Sequence, residues 1–178
     1  MKKLIATLMI AALLLTGSAL AATYDTNNIA FEYDDSVFKV EAEDNEDGEA
    51  YCILYSVNDE LENTFVNISV AKLEDDETFP TLEAYTKEAN EDEEIEVTVD
   101  VMDEWAGFKD VYHYDSEYAD EETHFHASTF TAPVYKDDKV IAIADIYACQ
   151  DVLEDEDAAM QISDAISEIL DTLKITTD

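Results

Sequence analysis

The hydrophobic period of the chain changes near Glu154, and this change constrains the fold more than any other feature of the sequence. Upstream, apolar and polar residues alternate along several segments, most clearly over residues 95–101, where four branched residues share one face. Downstream, the period becomes 3.6, with apolar residues from Ala158 to Leu173 along one side. The chain is therefore predicted to be an α+β protein, with an antiparallel sheet followed by an amphipathic helix.

A second helix is predicted to begin at Pro80-Thr81 and to end near Asn90, because the Thr81 hydroxyl can cap its first backbone amides. The residues before the first strand, 22–27, are predicted to be a short polar lead-in. The last three strands follow one another as a meander, so the predicted architecture is an antiparallel meander covered by two helices. The predicted strands are residues 29–33, 37–40, 50–57, 65–73, 95–101, 107–118, 123–135 and 140–149.

The layout of these elements resembles that of the PsbP-like family. The resemblance is carried by an aromatic-x-aromatic strand at Phe31-Glu32-Tyr33, a strand over 66–70, a helix opening at 81–85 and a closing helix over 162–175. It spans nearly all of the chain after residue 21 and implies an α/β/α sandwich around an antiparallel sheet. Its relatives range from extrinsic subunits of photosystem II to secreted bacterial proteins, so the resemblance implies an accessory or binding module rather than an enzyme.

The charge of the chain excludes several classes of partner. Among its 178 residues are 9 Lys, no Arg and 45 Asp or Glu, which give a formal net charge of −36. Binding to nucleic acid or to an anionic membrane requires clustered basic side chains, and none is present. The partners left are a cationic or neutral protein or small ligand. The acidity is either a binding surface or a device that keeps the domain soluble, and the sequence leaves both readings open.

The first residues have the pattern of an export signal. Lys2 and Lys3 precede an apolar run over residues 4–15, and small residues in an A-x-A arrangement follow at Ala19 and Ala21. We therefore predict a signal peptide over residues 1–21, a single acidic α+β domain over residues 22–178, and a secreted or periplasmic location. The apolar run is too short for a comfortable membrane span.

Export makes the two cysteines a possible disulfide, because only Cys52 and Cys149 are available to pair. Such a bridge would close a loop that spans most of the domain. The alternative is two buried thiols, since each cysteine lies in an apolar, strand-like segment. A catalytic role is disfavoured at Cys52, which has no basic neighbour to lower the pKa of its thiol.

Three histidines and one carboxylate form the candidate metal site. His124 and His126 fall on one face of a predicted strand, Glu122 precedes them, and His113 lies on the strand before. Two or three imidazoles with a carboxylate can hold Zn²⁺ if the strands pair in the right register. The alternative is a set of ordinary surface histidines.

A second candidate cation site is the acidic stretch over residues 43–48, where Glu43, Asn45 and Asp47 partly match the ligand spacing of a calcium loop. An acidic β-turn explains the same residues. Asp145 is notable because it interrupts an apolar run, and it is either a buried acid with a raised pKa or an exposed residue on the face of Tyr147.

No motif supports catalysis, and no cofactor is predicted beyond weak binding of Ca²⁺ or Zn²⁺. Glycine-rich phosphate loops and nucleophile elbows are excluded, since only Gly48 and Gly107 follow the predicted signal peptide. The predicted function is an exported, acidic, non-enzymatic binding module. A divalent-cation binding protein is the alternative, and a hydrolase that uses acidic residues is a second alternative without a motif behind it.

Overall fold

The computed structural model describes residues 21–26, 28–46, 49–92, 97–120 and 123–176. These residues form ten strands and two helices. The strands are β1 (Ala22–Thr26), β2 (Ile29–Tyr33), β3 (Phe38–Glu46), β4 (Glu49–Ser56), β5 (Phe65–Lys72), β6 (Asp100–Trp105), β7 (Phe108–Ala119), β8 (His124–Lys136), β9 (Lys139–Asp151) and β10 (Lys174–Ile175). The helices are α1 (Leu82–Asp92) and α2 (Glu156–Thr172).

Seven strands form one large antiparallel sheet in the order β3-β4-β5-β9-β8-β7-β6. A small sheet has the order β1-β2-β10 and is also antiparallel. The predicted meander of three strands is present as β7, β8 and β9, and β9 then pairs with β5 in the large sheet. The structure thus confirms the predicted combination of antiparallel sheet and two helices.

Two tight turns hold this meander in register. Ala106 and Gly107 between β6 and β7 have φ values of 49° and 83°, and Asp137 and Asp138 between β8 and β9 have φ values of 50° and 62°. Two consecutive residues with positive φ are typical of the two-residue turns whose twist matches that of paired strands. Glycine and aspartate tolerate this conformation better than most residues, which accounts for Gly107, Asp137 and Asp138 but not for Ala106.

One face of the large sheet, called here the inner face, carries the main hydrophobic core. Leu54, Ile68 and Ile146 are fully buried on three neighbouring strands, and the register aligns them on this face. The small sheet and α2 cover it, contributing Phe31 of β2 and Ile169 of α2. The main core therefore lies between the large sheet and these two elements.

The opposite face, called here the outer face, contacts α1. Tyr85 of α1 packs against Tyr112 and Tyr114 of β7, with ring centroids 5.1 and 6.3 Å apart. Tyr114 also joins Ala89 and Val97 in a second, small core. Tyr112 and Tyr114 therefore pack beneath a helix.

Helix α2 begins at a capped end. The Asp155 carboxylate accepts hydrogen bonds from the backbone N–H groups of Asp157 and Ala158, at 3.1 and 3.2 Å. Asp155 is thus the N-cap, which places the helix start one residue after it. At the other end, the Thr172 hydroxyl accepts a hydrogen bond of 2.8 Å from the Glu32 backbone and so ties the helix to β2.

Three elements differ from the prediction. The alternating segment 95–101 is not one strand, because residues 97–99 are irregular and β6 begins only at Asp100. Val97 is held instead by α1, where the Asn90 amide oxygen accepts from its backbone N–H at 2.7 Å. Residues 22–26 form the strand β1 rather than a polar lead-in, and residues 174–175 form β10 rather than the end of a helix.

Candidate metal centre

The hairpin of β7 and β8 brings two imidazoles and one carboxylate together at one end of the large sheet. One ligand atom from each of Glu117, His124 and His126 lies within 4.8 Å of the other two. The histidine rings are 5.7 Å apart between centroids. These three residues are called here the Glu-His-His cluster.

The cluster follows directly from strand geometry. His124 and His126 are two residues apart on β8 and so lie on the same face of the sheet. The register pairs Glu117 with His126 and Ala119 with His124, which puts the carboxylate beside both rings. The turn that fixes this register is closed by Asp120, whose carboxylate accepts from the Thr123 backbone N–H at 2.7 Å and from the Tyr118 hydroxyl at 2.9 Å.

The carboxylate of the cluster is held in its charged form. Glu117 Oε1 lies 2.7 Å from His124 Nε2, and this hydrogen bond is the main reason that the pKa of Glu117 is lowered from its ordinary value. The charge of His126 acts in the same direction. All three side chains are exposed, so an ion reaches them directly from solvent.

Two imidazoles and one carboxylate are a ligand set that suits Zn²⁺ and related divalent transition metals. Around a tetrahedral Zn²⁺, neighbouring ligand atoms lie about 3.3 Å apart at ordinary Zn–N and Zn–O distances. The cluster therefore has to close by about 1.5 Å from its 4.8 Å span, which rotation of exposed side chains can supply. A fourth position remains for water or for a ligand of the ion.

Of the predicted metal ligands, the structure brings together His124 and His126 but not His113. His113 lies four residues from Glu117 along β7, where its ring stacks on Phe130 at 4.5 Å and its Nε2 is 3.3 Å from Asp115. It belongs to the edge of the main core, and its inclusion among the ligands was wrong. Glu122 lies outside the described residues.

Glu117 was missed by the sequence analysis, which considered only the acids next to the histidines. The position of Glu117 opposite His126 could in principle have been found from the sequence. Counting outward from the turn at residues 120–123 pairs residue 119 with 124 and residue 117 with 126. That step requires knowing which two residues close the turn, and the sequence does not show this.

The predicted calcium loop lies in the hairpin of β3 and β4. Glu43 pairs with Cys52 and Asn45 with Ala50, so the described backbone on either side of residues 47–48 is extended, whereas helices flank a calcium loop of this type. The side chains of Glu43 and Asn45, and the whole of Asp47, lie outside the described residues. Cation binding at this acidic turn remains a prediction.

The two cysteines are buried thiols and not a disulfide. Cys52 lies on β4 and Cys149 on β9, with β5 between them, so two strand spacings of about 10 Å in all separate their backbones. The register also puts them on opposite faces, Cys52 beside Ile68 on the inner face and Cys149 beside Phe65 on the outer face. A bridge requires Cα atoms within about 7 Å, so the possible disulfide is absent and the alternative of two buried thiols holds.

A second polar cluster occupies the outer face. The Thr131 hydroxyl donates to the Asp145 carboxylate at 2.6 Å and lies 2.8 Å from the Tyr85 hydroxyl, which therefore donates to it. Burial raises the pKa of Tyr85 to about 12. Loss of hydration is also the main cause that raises the pKa of Asp145, and the charge of Glu88 adds to it.

Asp145 combines features of both sequence interpretations. Its side chain is exposed and shares the outer face with Tyr147, which matches the interpretation as an exposed residue. Its pKa is nevertheless raised, which matches the interpretation as a buried acid. Both observations fit a carboxylate in a recess that protein atoms surround on most sides and that is open on one.

Comparison with known proteins identifies no relative: no family model, no curated protein and no solved structure matches the chain. Neither helix of the described residues is long and apolar enough to cross a membrane.

Proposed function

We propose that this protein is an exported, acidic, non-enzymatic module that binds a divalent transition metal of the Zn²⁺ class at the Glu-His-His cluster. The observation that carries the proposal is the convergence of Glu117, His124 and His126 within 4.8 Å. Exposed acidic groups often lie close together without a bound ion. Two imidazoles with a charged carboxylate are more selective, since imidazole ligands favour Zn²⁺, Cu²⁺ and Ni²⁺ over Ca²⁺ and Mg²⁺.

The net charge supports this function. A formal charge of −36 raises the local concentration of cations around the domain and speeds their arrival at any site. The charge itself does not distinguish one cation from another, because it acts on all of them. Selectivity for a transition metal therefore depends on the two histidines.

The fold and the location belong to the same proposal. We propose a PsbP-like α/β/α layout, supported by the contacts of α1 and α2 with opposite faces of the large sheet. We also propose that residues 1–21 direct export. Neither the layout nor the export signal indicates a ligand, so the proposal of metal binding depends on the Glu-His-His cluster alone.

The test is thermal unfolding of residues 22–178 with ZnCl₂, compared with CaCl₂ and NaCl at matched ionic strength. A bound ion at a hundred times its Kd stabilises the native state by about 2.7 kcal/mol, whereas screening depends mainly on ionic strength. We expect micromolar Zn²⁺ to raise the Tm and Ca²⁺ at the same concentration to leave it unchanged.

The variants decide whether the cluster is the site. A His124→Ala, His126→Ala double variant should lose the Zn²⁺-dependent rise in Tm, and Glu117→Gln should weaken it. His113→Phe is the matched control, because it removes the remaining histidine and keeps a ring stacked on Phe130. An unchanged Zn²⁺ response in the double variant would overturn the proposal.

A further inference from the structure

The described residues cover only part of the outer face of the large sheet. Helix α1 contacts β7 and β8 through Tyr85, and Asp145 of β9 marks the limit of that contact. Beyond it, the outer face of β4, β5 and β9 carries a set of aromatic and polar side chains that belong to neither hydrophobic core. This set is called here the open aromatic surface. It consists of Tyr51, Tyr55, Phe65, Asn67, Ser69, Asp145 and Tyr147.

Three of its rings form a continuous row. Phe65 lies 5.6 Å from Tyr55 on one side and 5.6 Å from Tyr147 on the other, measured between ring centroids. The rings are tilted by 37° and 41° and are only half-buried. Tyr51, on the next row of the same face, is 38% exposed. The row therefore offers aromatic surface to a ligand that approaches from solvent.

Some polar side chains beside this row have unused hydrogen-bonding capacity. Asn67 and Thr129 flank Tyr147 across the strands, and Asn67 Oδ1 and Thr129 Oγ1 are buried atoms that find no hydrogen-bond partner among the described residues. Asp145 accepts one hydrogen bond from Thr131. No described lysine or histidine lies within ion-pair distance of its carboxylate.

We propose that the open aromatic surface binds the guanidinium group of an arginine on a basic peptide segment of a partner protein. A guanidinium is flat and stacks on aromatic rings, and it carries five N–H donors in a fixed fork. Phe65 and Tyr147 supply the stacking surface and Asp145 the charge partner. A quaternary ammonium group has no N–H donor for the Asp145 carboxylate.

The occupant is not a second copy of this chain, because the chain contains no arginine. Its net charge of −36 also opposes self-association and attracts a basic segment. The proposed surface lies on the outer face, whereas the Glu-His-His cluster lies on the inner face. This inference therefore does not depend on metal binding.

The experiment uses two peptides of equal length and charge, acetyl-Gly-Arg-Gly-Arg-Gly-amide and the same peptide with lysine in place of arginine. Binding to residues 22–178 is measured by calorimetry in 150 mM NaCl, which screens long-range attraction, and mapped by NMR shifts. We expect the arginine peptide to bind about fivefold tighter than the lysine peptide. A planar guanidinium stacks on aromatic rings and donates two parallel hydrogen bonds to a carboxylate, whereas an ammonium does neither. The shifts should lie on β4, β5 and β9.

Three variants separate this site from general charge attraction. Asp145→Asn should weaken binding of the arginine peptide about tenfold, because it removes the charge partner but keeps an acceptor for Thr131. Phe65→Leu should weaken it about threefold. Asp164→Asn, at an exposed position on α2, is the control of equal charge and should leave binding unchanged.

Tm values within a few degrees of the parent confirm that each variant is folded. Equal affinity for the two peptides would overturn the inference. Equal loss in Asp145→Asn and Asp164→Asn would also overturn it, as would the absence of binding.

Discussion

The two faces of the large sheet use the same strands in different ways. On the inner face, neighbouring strands contribute Leu54, Ile68 and Ile146, which are fully buried in a hydrophobic core. On the outer face, the same strands contribute polar and aromatic side chains such as Asn67, Asp145 and Tyr147. The inner face holds the domain together, and the outer face combines a docked helix with surface that nothing in the described chain covers. Because the side chains of the outer face contribute less to the stability of the fold, they are available to bind a ligand.

The largest expected contrast is between two isoleucines on β9. Ile146 is fully buried on the inner face, whereas Ile143 is only half-buried on the outer face. Ile146→Ala should lower the free energy of unfolding by about 3 kcal/mol, because it leaves a cavity in a packed core. Ile143→Ala should cost less than about 1 kcal/mol. Chemical denaturation measures both, and equal losses would show that the outer face contributes to stability as the inner one does.

A smaller effect is expected from two threonines on the outer face of β8. Thr131→Val removes the hydroxyl that joins Tyr85 to Asp145, so it should cost about 1–2 kcal/mol through the partners left unsatisfied. Thr129→Val removes a buried hydroxyl that has no partner among the described residues, so it should be neutral or stabilising. A comparable loss at both positions would show that the chain from Tyr85 to Asp145 does not anchor α1.

The smallest effect is a pH dependence at Tyr85. Its pKa is about 12 in the folded state and 10.0 for an ordinary tyrosine, so the native state holds the phenol proton more tightly. The stabilisation is fully present below pH 10 and is lost as the pH rises toward 12. Because Tyr85 is partly exposed, we expect no more than about 1 kcal/mol. The stability difference between the parent and Tyr85→Phe should narrow over this range, and a constant difference would refute the assignment.

The sequence predicted the elements whose pattern is local. The period of α2 and the meander from β7 to β9 depend on residues near one another in the chain. The alternation over residues 95–101 was misleading, because contacts with α1 withdraw Val97 from the sheet. The strands β1 and β10 were missed because each is short and forms only by pairing with β2.

The candidate metal centre was predictable only in part for the same reason. His124 and His126 share a face because they are two residues apart, which any strand guarantees. Glu117 joins them and His113 does not, and both outcomes depend on the register of β7 against β8. Register is set by a turn and by side-chain packing across strands, and neither is visible in the spacing of residues.

Because the two cysteines lie on opposite faces of the large sheet, their thiols can report local opening of each face. Cys52 is buried in the core of the inner face, and Cys149 is buried on the outer face beside Phe65, where burial raises the pKa of its thiol to about 12. Neither thiol reacts with an alkylating reagent until the side chains around it move apart. The labelling rates at the two positions, read by mass spectrometry on the unaltered sequence, would time the opening of each face of the sheet separately.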